Sequence, residues 1–393
     1  MKIALVCDWF NPRIGGIERH LDQLSGQLAA AGNDVTVITP TKGHSTAASG
    51  VRVQRLSASL MPGVGLIWTP SSFQRLGRAI RGGRFDIVHV HSSIISPTAF
   101  AAVYFAQKAG RPTVITGHSI LGRFGPAFQA LDRLCRWSTW PVAFSGVSHR
   151  VATELHSLIA PQQVDVLPNA IDPIEWRLEL RPPADVVNIA CVMRLAPRKR
   201  GAALLQALAS VRPTFPAGLR VCLQFAGDGS ERKKLEHLSR QLGLGDSVRF
   251  LGSQSPEQVK SLLARSHFFA LPSKLEAFGI AALEARAAGL PVLAMTEGGV
   301  KEFVANGVEG LLARDDLEFA QHLKRLCTEA SLRRAIAEYN RRTPVVFTWQ
   351  HTLAAHFVTY ERARRLSLLP GINRSSDVSQ GDERSRPALE AAQ

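Results

Sequence analysis

S-K-L-E-A-F-G-I-A-A-L-E-A-R-A-A-G-L-P-V-L-A-M-T-E-G-G-V-K-E, from Ser273 to Glu302, is the most informative stretch of the chain. The apolar run Phe268 to Leu271 before it reads as a buried strand. Phe278 to Ala288 reads as a small-residue helix, stopped by Gly289 at its C′ position. Pro291 to Ala294 reads as the next short strand, and Glu297-Gly298-Gly299 as the turn that ends it. Glu276 thus falls at the C-terminal end of a strand, just before a helix N-terminus, where open parallel sheets bind ligands. Glu284 lies about two helical turns further on, at ~1.5 Å of rise per residue. One acid is placed for a ligand's reactive end, the other for a hydroxylated group deeper in a cleft. Ala277, Phe278 and Gly279 offer a backbone that a ligand can approach closely. Ala281, Ala282, Ala285, Ala287 and Ala288 let the helix pack tightly on a sheet.

The same alternation runs outward in both directions. Strands are expected at Ile3 to Cys7, Val35 to Thr39, Phe85 to His91, Thr113 to Thr116, Ala143 to Val147 and Val164 to Leu167. Helices are expected at Ile17 to Ala31, Pro97 to Ala109 and His149 to Leu158. After the turn-rich joint Pro168-Asn169-Ala170-Ile171-Asp172-Pro173 the pattern restarts. Val187 to Val192, Leu219 to Phe225, Val248 to Phe250 and Phe268 to Leu271 are strands. Gly201 to Val211, Glu231 to Leu242 and Pro256 to Ala264 are helices. This βαβα order implies two doubly wound parallel sheets, each with helices on both faces. Two such units imply a cleft between them, the default binding site. The expected division is residues 1–172 and 173–347. A basic helix at 348–366 is expected to return to the first unit, and a polar disordered tail to follow at 367–393.

A chain of 393 residues suits two domains. Its formal charge of +15 favours anionic partners: sugar nucleotides, anionic lipid surfaces or nucleic acid. No nucleic-acid module is recognisable. The five cysteines are scattered and odd in number, as expected of buried thiols in a reducing compartment. Met1 to Phe10 is too short in apolar residues for a signal peptide, and no uncharged run suffices to span a membrane.

Further candidate residues sit at strand ends. Gly15 and Gly16, before the first helix, either form an ordinary turn or expose N–H groups to an anion. Arg194 and Lys199, after the first strand of the second unit, suit a diphosphate, unless that loop is merely solvated. Gly227 lies in a third flexible turn, and Gly252 in a fourth whose backbone can face a planar base. His118 ends a strand of the first unit, placed to hydrogen-bond a sugar hydroxyl or shuttle a proton. His89 and His91 share a strand face without a third ligand. No Asp-x-Asp pair occurs, so neither a metal nor any cofactor is expected. Two segments carry apolar residues beside arginines: Leu60 to Trp68 with Arg75, Arg78, Arg81 and Arg84, and Phe124 to Trp140. They face an anionic bilayer, or are ordinary amphipathic helices with a solvated basic face.

These pieces together resemble the retaining glycosyltransferases of family 4, which have the GT-B fold. The matching motifs are G-G-I-E from Gly15, T-G-H-S from Thr116, G-V-S from Gly146 and P-N-A-I-D from Pro168. M-R-L-x-x-x-K from Met193, A-G-D-G from Ala226, F-L-G from Phe250 and the E-x7-E pair follow in order, over about residues 1 to 360. H-S-S from His91 and I-T-G-H-S-I-L-G from Ile115 also resemble the catalytic subunit of phosphatidylinositol N-acetylglucosaminyltransferases. The resemblance implies that Arg194, Lys199 and the Gly16 amide hold a donor diphosphate. It places Glu284 on the ribose, Glu276 on the transferred sugar and His118 near its reacting carbon. The family usually has Gly after the lysine; here it is Arg200.

The function so implied is transfer of a hexose or N-acetylhexosamine from a nucleoside-diphosphate sugar. The acceptor would be a lipid or glycan precursor in glycolipid or polysaccharide biosynthesis. The place would be the cytoplasm, peripherally on the inner face of the membrane. A sugar-nucleotide epimerase or hydrolase of the same fold, or a non-catalytic sugar-nucleotide or glycolipid-binding subunit, is the alternative.

Overall fold

The computed structural model of the chain describes residues 1–13, 15–43, 47–57, 59, 61, 66–67, 69–159 and 161–368. Trp68, most of the Leu60 to Trp68 segment, and the polar tail from 369 on lie outside the described residues.

The first unit begins with β1 (Lys2–Cys7), α1 (Gly16–Ala30), β2 (Asp34–Thr39) and β3 (Val51–Arg55). It continues through α2 (Pro70–Gly83), β4 (Ile87–Ser92), α3 (Pro97–Lys108), β5 (Thr113–Gly117) and α4 (Gly125–Cys135). β6 (Ala143–Gly146), α5 (His149–Ile159) and β7 (Val164–Val166) complete it. Its seven strands stand in the order β3-β2-β1-β4-β5-β6-β7, all parallel.

The second unit runs through β8 (Val187–Val192), α6 (Gly201–Val211), β9 (Val221–Ala226), α7 (Arg232–Gln241), β10 (Val248–Gly252) and α8 (Pro256–Ala264). β11 (Phe268–Leu271), α9 (Ile280–Ala287), β12 (Val292–Met295), β13 (Gly310–Ala313), α10 (Asp316–Thr328) and α11 (Ala330–Arg342) follow. The second sheet is β10-β9-β8-β11-β12-β13. In each sheet the order reverses beside the first strand, between β1 and β4 and between β8 and β11. That reversal opens a crevice at the strands' C-terminal ends.

Central strands covered on both faces must be apolar almost continuously. Phe268, Phe269, Ala270 and Leu271 of β11 are accordingly buried. β3 is different. Its V-R-V-Q-R alternation leaves Arg52 and Gln54 exposed, as an edge strand allows. The helix expected from Phe278 starts at Ile280 instead, because Gly279 holds a left-handed φ of 96° at the N-cap. Its C-terminus is a Schellman turn, with Gly289 at φ 91° and the Leu290 N–H donated to the Ala285 carbonyl.

The last described helix, α12 (Trp349–Ser367), packs on the first sheet. Trp349, Tyr360 and Ala363 join the core formed by Ile3, Leu5, Val35, Val37 and Ile87. Arg362 fixes the helix by donating to the Phe144 carbonyl and pairing with Asp165 at 2.9 Å.

Candidate active site

The loop after β8 is held to the loop after β9. The Met193 N–H donates to the Ala226 carbonyl, and the Leu195 N–H to the Asp228 carbonyl. Gly227 in turn donates to the Gly252 carbonyl at 2.7 Å, so Gly227 lies against the Met193–Arg194 backbone and Gly252 beside the Arg232 guanidinium. Pro197–Lys199 forms one tight helical turn before α6. Arg200, where the family usually carries glycine, adopts a left-handed φ of 57°. For a residue with a Cβ that conformation costs ~1–2 kcal/mol. Two forked bonds to Asp316 and one to the Pro272 carbonyl anchor its guanidinium. The loop therefore keeps the shape that glycine would give it.

The turn after β11 meets this loop from the side. Arg198 donates to the Leu275 carbonyl, and the Lys199 ammonium pairs with the Glu276 carboxylate at 2.5 Å. Glu276 is further held by the Gly299 N–H on its carbonyl. Ala277 and Phe278 are buried, Phe278 among Phe303 and Phe347, so neither offers a side chain to the crevice.

The first unit supplies the opposite wall. Gly15 starts α1 at the end of the β1 loop, and a Cβ there would stand 2.8 Å from the Arg194 guanidinium. A side chain there would have to displace the Glu18 carboxylate and the Arg194 guanidinium. A Cβ at Gly16 would meet nothing within 4 Å. Glu18, buried in the first turn of α1, pairs with Arg13 at 3.2 Å and reaches Arg194 at 3.9 Å. Arg19 crosses between the sheets to Glu284 at 3.1 Å, its guanidinium over the Trp176 ring. Glu284 is 3% exposed. Burial pushes its carboxyl up to about 7, against the opposing pull of Arg19. Arg150 and Glu302, and Gly122 facing Leu275, add contacts between the two walls.

His118 ends β5 and is nearly buried. Its backbone N–H donates to the Ser92 carbonyl, and its Nε2 lies 2.9 Å from Nδ1 of His91. Burial lowers its pKa to about 3, so the ring is neutral near pH 7. It offers a hydrogen bond and no charge. Behind it lie more imidazoles. His89 contacts His91 and Tyr360, His20 stacks on Trp349, and His356 of α12 packs on His89.

The structure thus brings Arg194, Lys199, Glu276, Gly15, Gly227 and Gly252 around one loop layer. Glu284 is reached through Arg19, and His118 sits in the wall of β5. The G-G-I-E motif contains Glu18 but gives it no partner, and no pattern in the sequence marks Arg19. A charge after a glycine turn gives no sign that it will cross to another sheet. Among the described residues, no group of three or more His, Cys, Asp or Glu is arranged to hold a metal ion.

Leu66, Ile67 and Trp137, expected as membrane-inserting residues, are buried in the first unit instead. Among the described residues of the first unit, the exposed large apolar groups are Met61, Ile95 and Tyr104, and, on or beside α4, Phe124, Leu131 and Leu134. Among the described residues, no helix is long and apolar enough to cross a membrane.

Comparison with known proteins accords with this geometry. Residues 14–175 match the family model "Glycosyltransferase Family 4", and residues 174–343 match "Glycosyl transferases group 1". The chain is 27% identical to a phosphatidylinositol N-acetylglucosaminyltransferase subunit of Arabidopsis thaliana, over 93% of this chain and 83% of that one. It is 31% identical to a glycogen synthase of Mycobacterium tuberculosis, over 93% and 95%. Among solved structures, Anabaena HepE in complex with UDP-glucose superposes with a TM-score of 0.67 at 20% identity, covering 94% of this chain and 100% of that one. With both sheets, their crevice and these matches in hand, the chain belongs to the family 4 glycosyltransferases of GT-B fold.

Proposed function

We propose that the chain transfers a hexose or N-acetylhexosamine, with retention, from a nucleoside-diphosphate sugar to a lipid or glycan precursor at the cytoplasmic face of the membrane. Residues 1–172, with the helix at 348–366, form the acceptor side in this reading, and residues 173–347 the donor side. The observation that carries it is Arg194 standing against Gly15 at the mouth of α1, on the same loop that sets Lys199 against Glu276. Two cations and a helix N-terminus suit a diphosphate. They stabilise the charge that develops on the leaving group, the electrostatic contribution that usually dominates.

The remaining residues take roles from their places. Glu276 accepts hydrogen bonds from the sugar being transferred. Glu284, about one turn into α9, holds the ribose hydroxyls. His118, neutral, bonds a sugar hydroxyl near the reacting carbon. The departing diphosphate stands beside the acceptor proton, so this mechanism assigns no protein base. The test is incubation of the purified chain with single nucleotide sugars and a lipid extract, with the anomeric configuration of the product read by NMR. An inverted product would overturn the retaining assignment.

The two glutamates should separate kinetically. Glu284→Gln is expected to raise the donor KM with little change in kcat, since the ribose does not react. Glu276→Ala is expected to lower kcat. Reversed signatures would mean that the donor lies the other way along α9.

Transfer is expected to proceed fully in the presence of a chelator, because Arg194, Lys199 and the α1 N-terminus already face the diphosphate. Loss of transfer in EDTA with recovery on adding magnesium or manganese would contradict this.

Peripheral membrane attachment follows from charge and from α4. Arg75, Arg78, Arg81 and Arg84 are exposed on or beside α2, and Arg123, Arg133 and Arg136 flank the exposed Phe124 and Leu134. Each basic residue near an anionic surface contributes ~1 kcal/mol. Co-sedimentation with phosphatidylglycerol vesicles is expected at low salt, reduced by Phe124→Ser with Leu134→Ser. No binding at low salt would favour an acceptor met in water.

A further inference from the structure

The second sheet carries a cavity lined by none of the residues assigned to the crevice. It measures about 620 Å³, within the ~300–1,000 Å³ range of small-molecule sites. Its walls come from the starts of β8 and β9, from β10 and from α8. Arg194, Lys199 and Gly227 follow the opposite ends of those strands. At ~3.3 Å per residue the start of β8 lies roughly 20 Å from its other end, while Gln224 and Leu251 bring the wall close to Gly227 and Gly252.

Strand register explains how the cavity arises. Asn188 is paired with Cys222, and Gln224 with Arg249, so these four side chains share one face of the sheet. The other face, with Ile189, Leu223 and Phe225, is closed in the core. Between α8 and the edge strand β10 the outer face stays open. Leu251 is 37% exposed there.

The lining is cationic. Arg212, Arg220, Arg249 and Arg265 contribute to it, against one carboxylate, Asp246. Elsewhere in this unit Arg200, Arg232, Arg286 and Arg314 each face a carboxylate. Arg220 pairs with Asp185 at the rim, and Arg212 donates to the Gly243 carbonyl. Among the described residues, Arg249 and Arg265 enter no ion pair. Guanidinium forks gathered in a concave wall with amide donors such as Gln224 match phosphate oxygens two at a time.

We propose that this cavity is a second anion site, for a small phosphate ester whose apolar body rests on Leu251 and the adjoining floor. A concave cavity of this volume encloses a small molecule; a bilayer surface meets a convex or flat patch. The shared phosphate chemistry still admits a lipid headgroup as source, and the test separates the two.

Cys222 reports on the cavity from within, since it lines the wall and is 8% exposed, while Cys7, Cys191 and Cys327 are more deeply buried. Inorganic pyrophosphate is the probe, added to the full chain while Cys222 alkylation by iodoacetamide is followed by peptide mass spectrometry. At ten times its Kd it is expected to slow alkylation about tenfold. The same slowing is expected in Lys199→Ala, and none in Arg249→Ala with Arg265→Ala. Both arginines are exposed, so that double variant should melt where the parent does. Calorimetry of pyrophosphate into the Lys199→Ala chain is the independent readout, with one binding event that the double substitution removes. Absence of that event overturns the proposal. So does slowing that persists in the double variant, or that sodium chloride matches at equal ionic strength. Protection by phosphatidylglycerol vesicles without protection by pyrophosphate overturns it in favour of a membrane contact.

Discussion

Lys199→Ala is expected to lower turnover about 10²–10³-fold, the loss typical of one preorganised charge-stabilising donor. The ammonium is 23% exposed and its partner Glu276 13%, so the pair sits in a partly desolvated wall. A cation there is worth more than one in water. Its proposed work is on a leaving diphosphate, whose charge grows only as the sugar bond breaks. kcat and kcat/KM should therefore fall together. Arg194→Ala should act in the same direction by a smaller factor, since its side chain is 44% exposed and also reaches Glu18. Single-turnover transfer with the preferred donor reads both, and thermal unfolding checks that the fold survives. A Lys199→Ala chain that turns over at the parent rate would remove the diphosphate assignment.

The parts of this wall that are legible in the sequence are those with local causes. Glu276 lies between an apolar strand and an alanine-rich helix, so a strand end followed by a helix start can be read from periodicity alone. The same holds for Arg194 and Lys199, which follow the mostly apolar run of β8. β3 is hard to read because V-R-V-Q-R on an edge has half the apolar signal of a central strand. α2 and α4 show in sequence only as basic amphipathic stretches, with nothing to say which face packs inward. Arg200 illustrates a different limit. Sequence shows only a departure from glycine, whereas the structure shows Asp316 and the Pro272 carbonyl holding an arginine in the left-handed region.

Charge pairs between the two units are the least legible. Arg19 meets Glu284, and Arg194 reaches Glu18, across more than 170 residues of chain. No spacing rule connects such positions. Together these contacts join charged side chains of α1 to the loop after β8 and to α9. Movement of one unit against the other would have to break them. The proposed donor site and the relative position of the units thus share these side chains.

The buried histidines lead to the second large expected effect, a steep loss of stability in mild acid. His20, His89, His91, His118 and His356 are all buried, and desolvation lowers every one, His118 to about 3 and His356 to about 4. A group whose folded pKa lies below its unfolded value binds its proton more readily in the unfolded chain. Its stability contribution is complete above the unfolded pKa of about 6.5 and is lost as pH falls below it. Two buried carboxyls oppose this. Asp8 is raised to about 6 and Glu284 to about 7, so each releases a proton on unfolding in mild acid. Near pH 5.5 the five imidazoles less the two carboxyls leave a net uptake of about three protons. At ~1.4 kcal/mol per proton per pH unit, stability should fall by about 4 kcal/mol for each unit of acidification. The carboxyl contributions fade above neutrality together with those of the imidazoles, so stability should level off above about pH 7.5. Urea unfolding midpoints from pH 5 to pH 8 measure the slope. His20→Phe, which replaces a ring with an unpartnered buried nitrogen, should cut the slope by about a third, one proton of three. A midpoint that stays level between pH 7 and pH 5 would mean that the imidazoles are protonated in the folded chain after all.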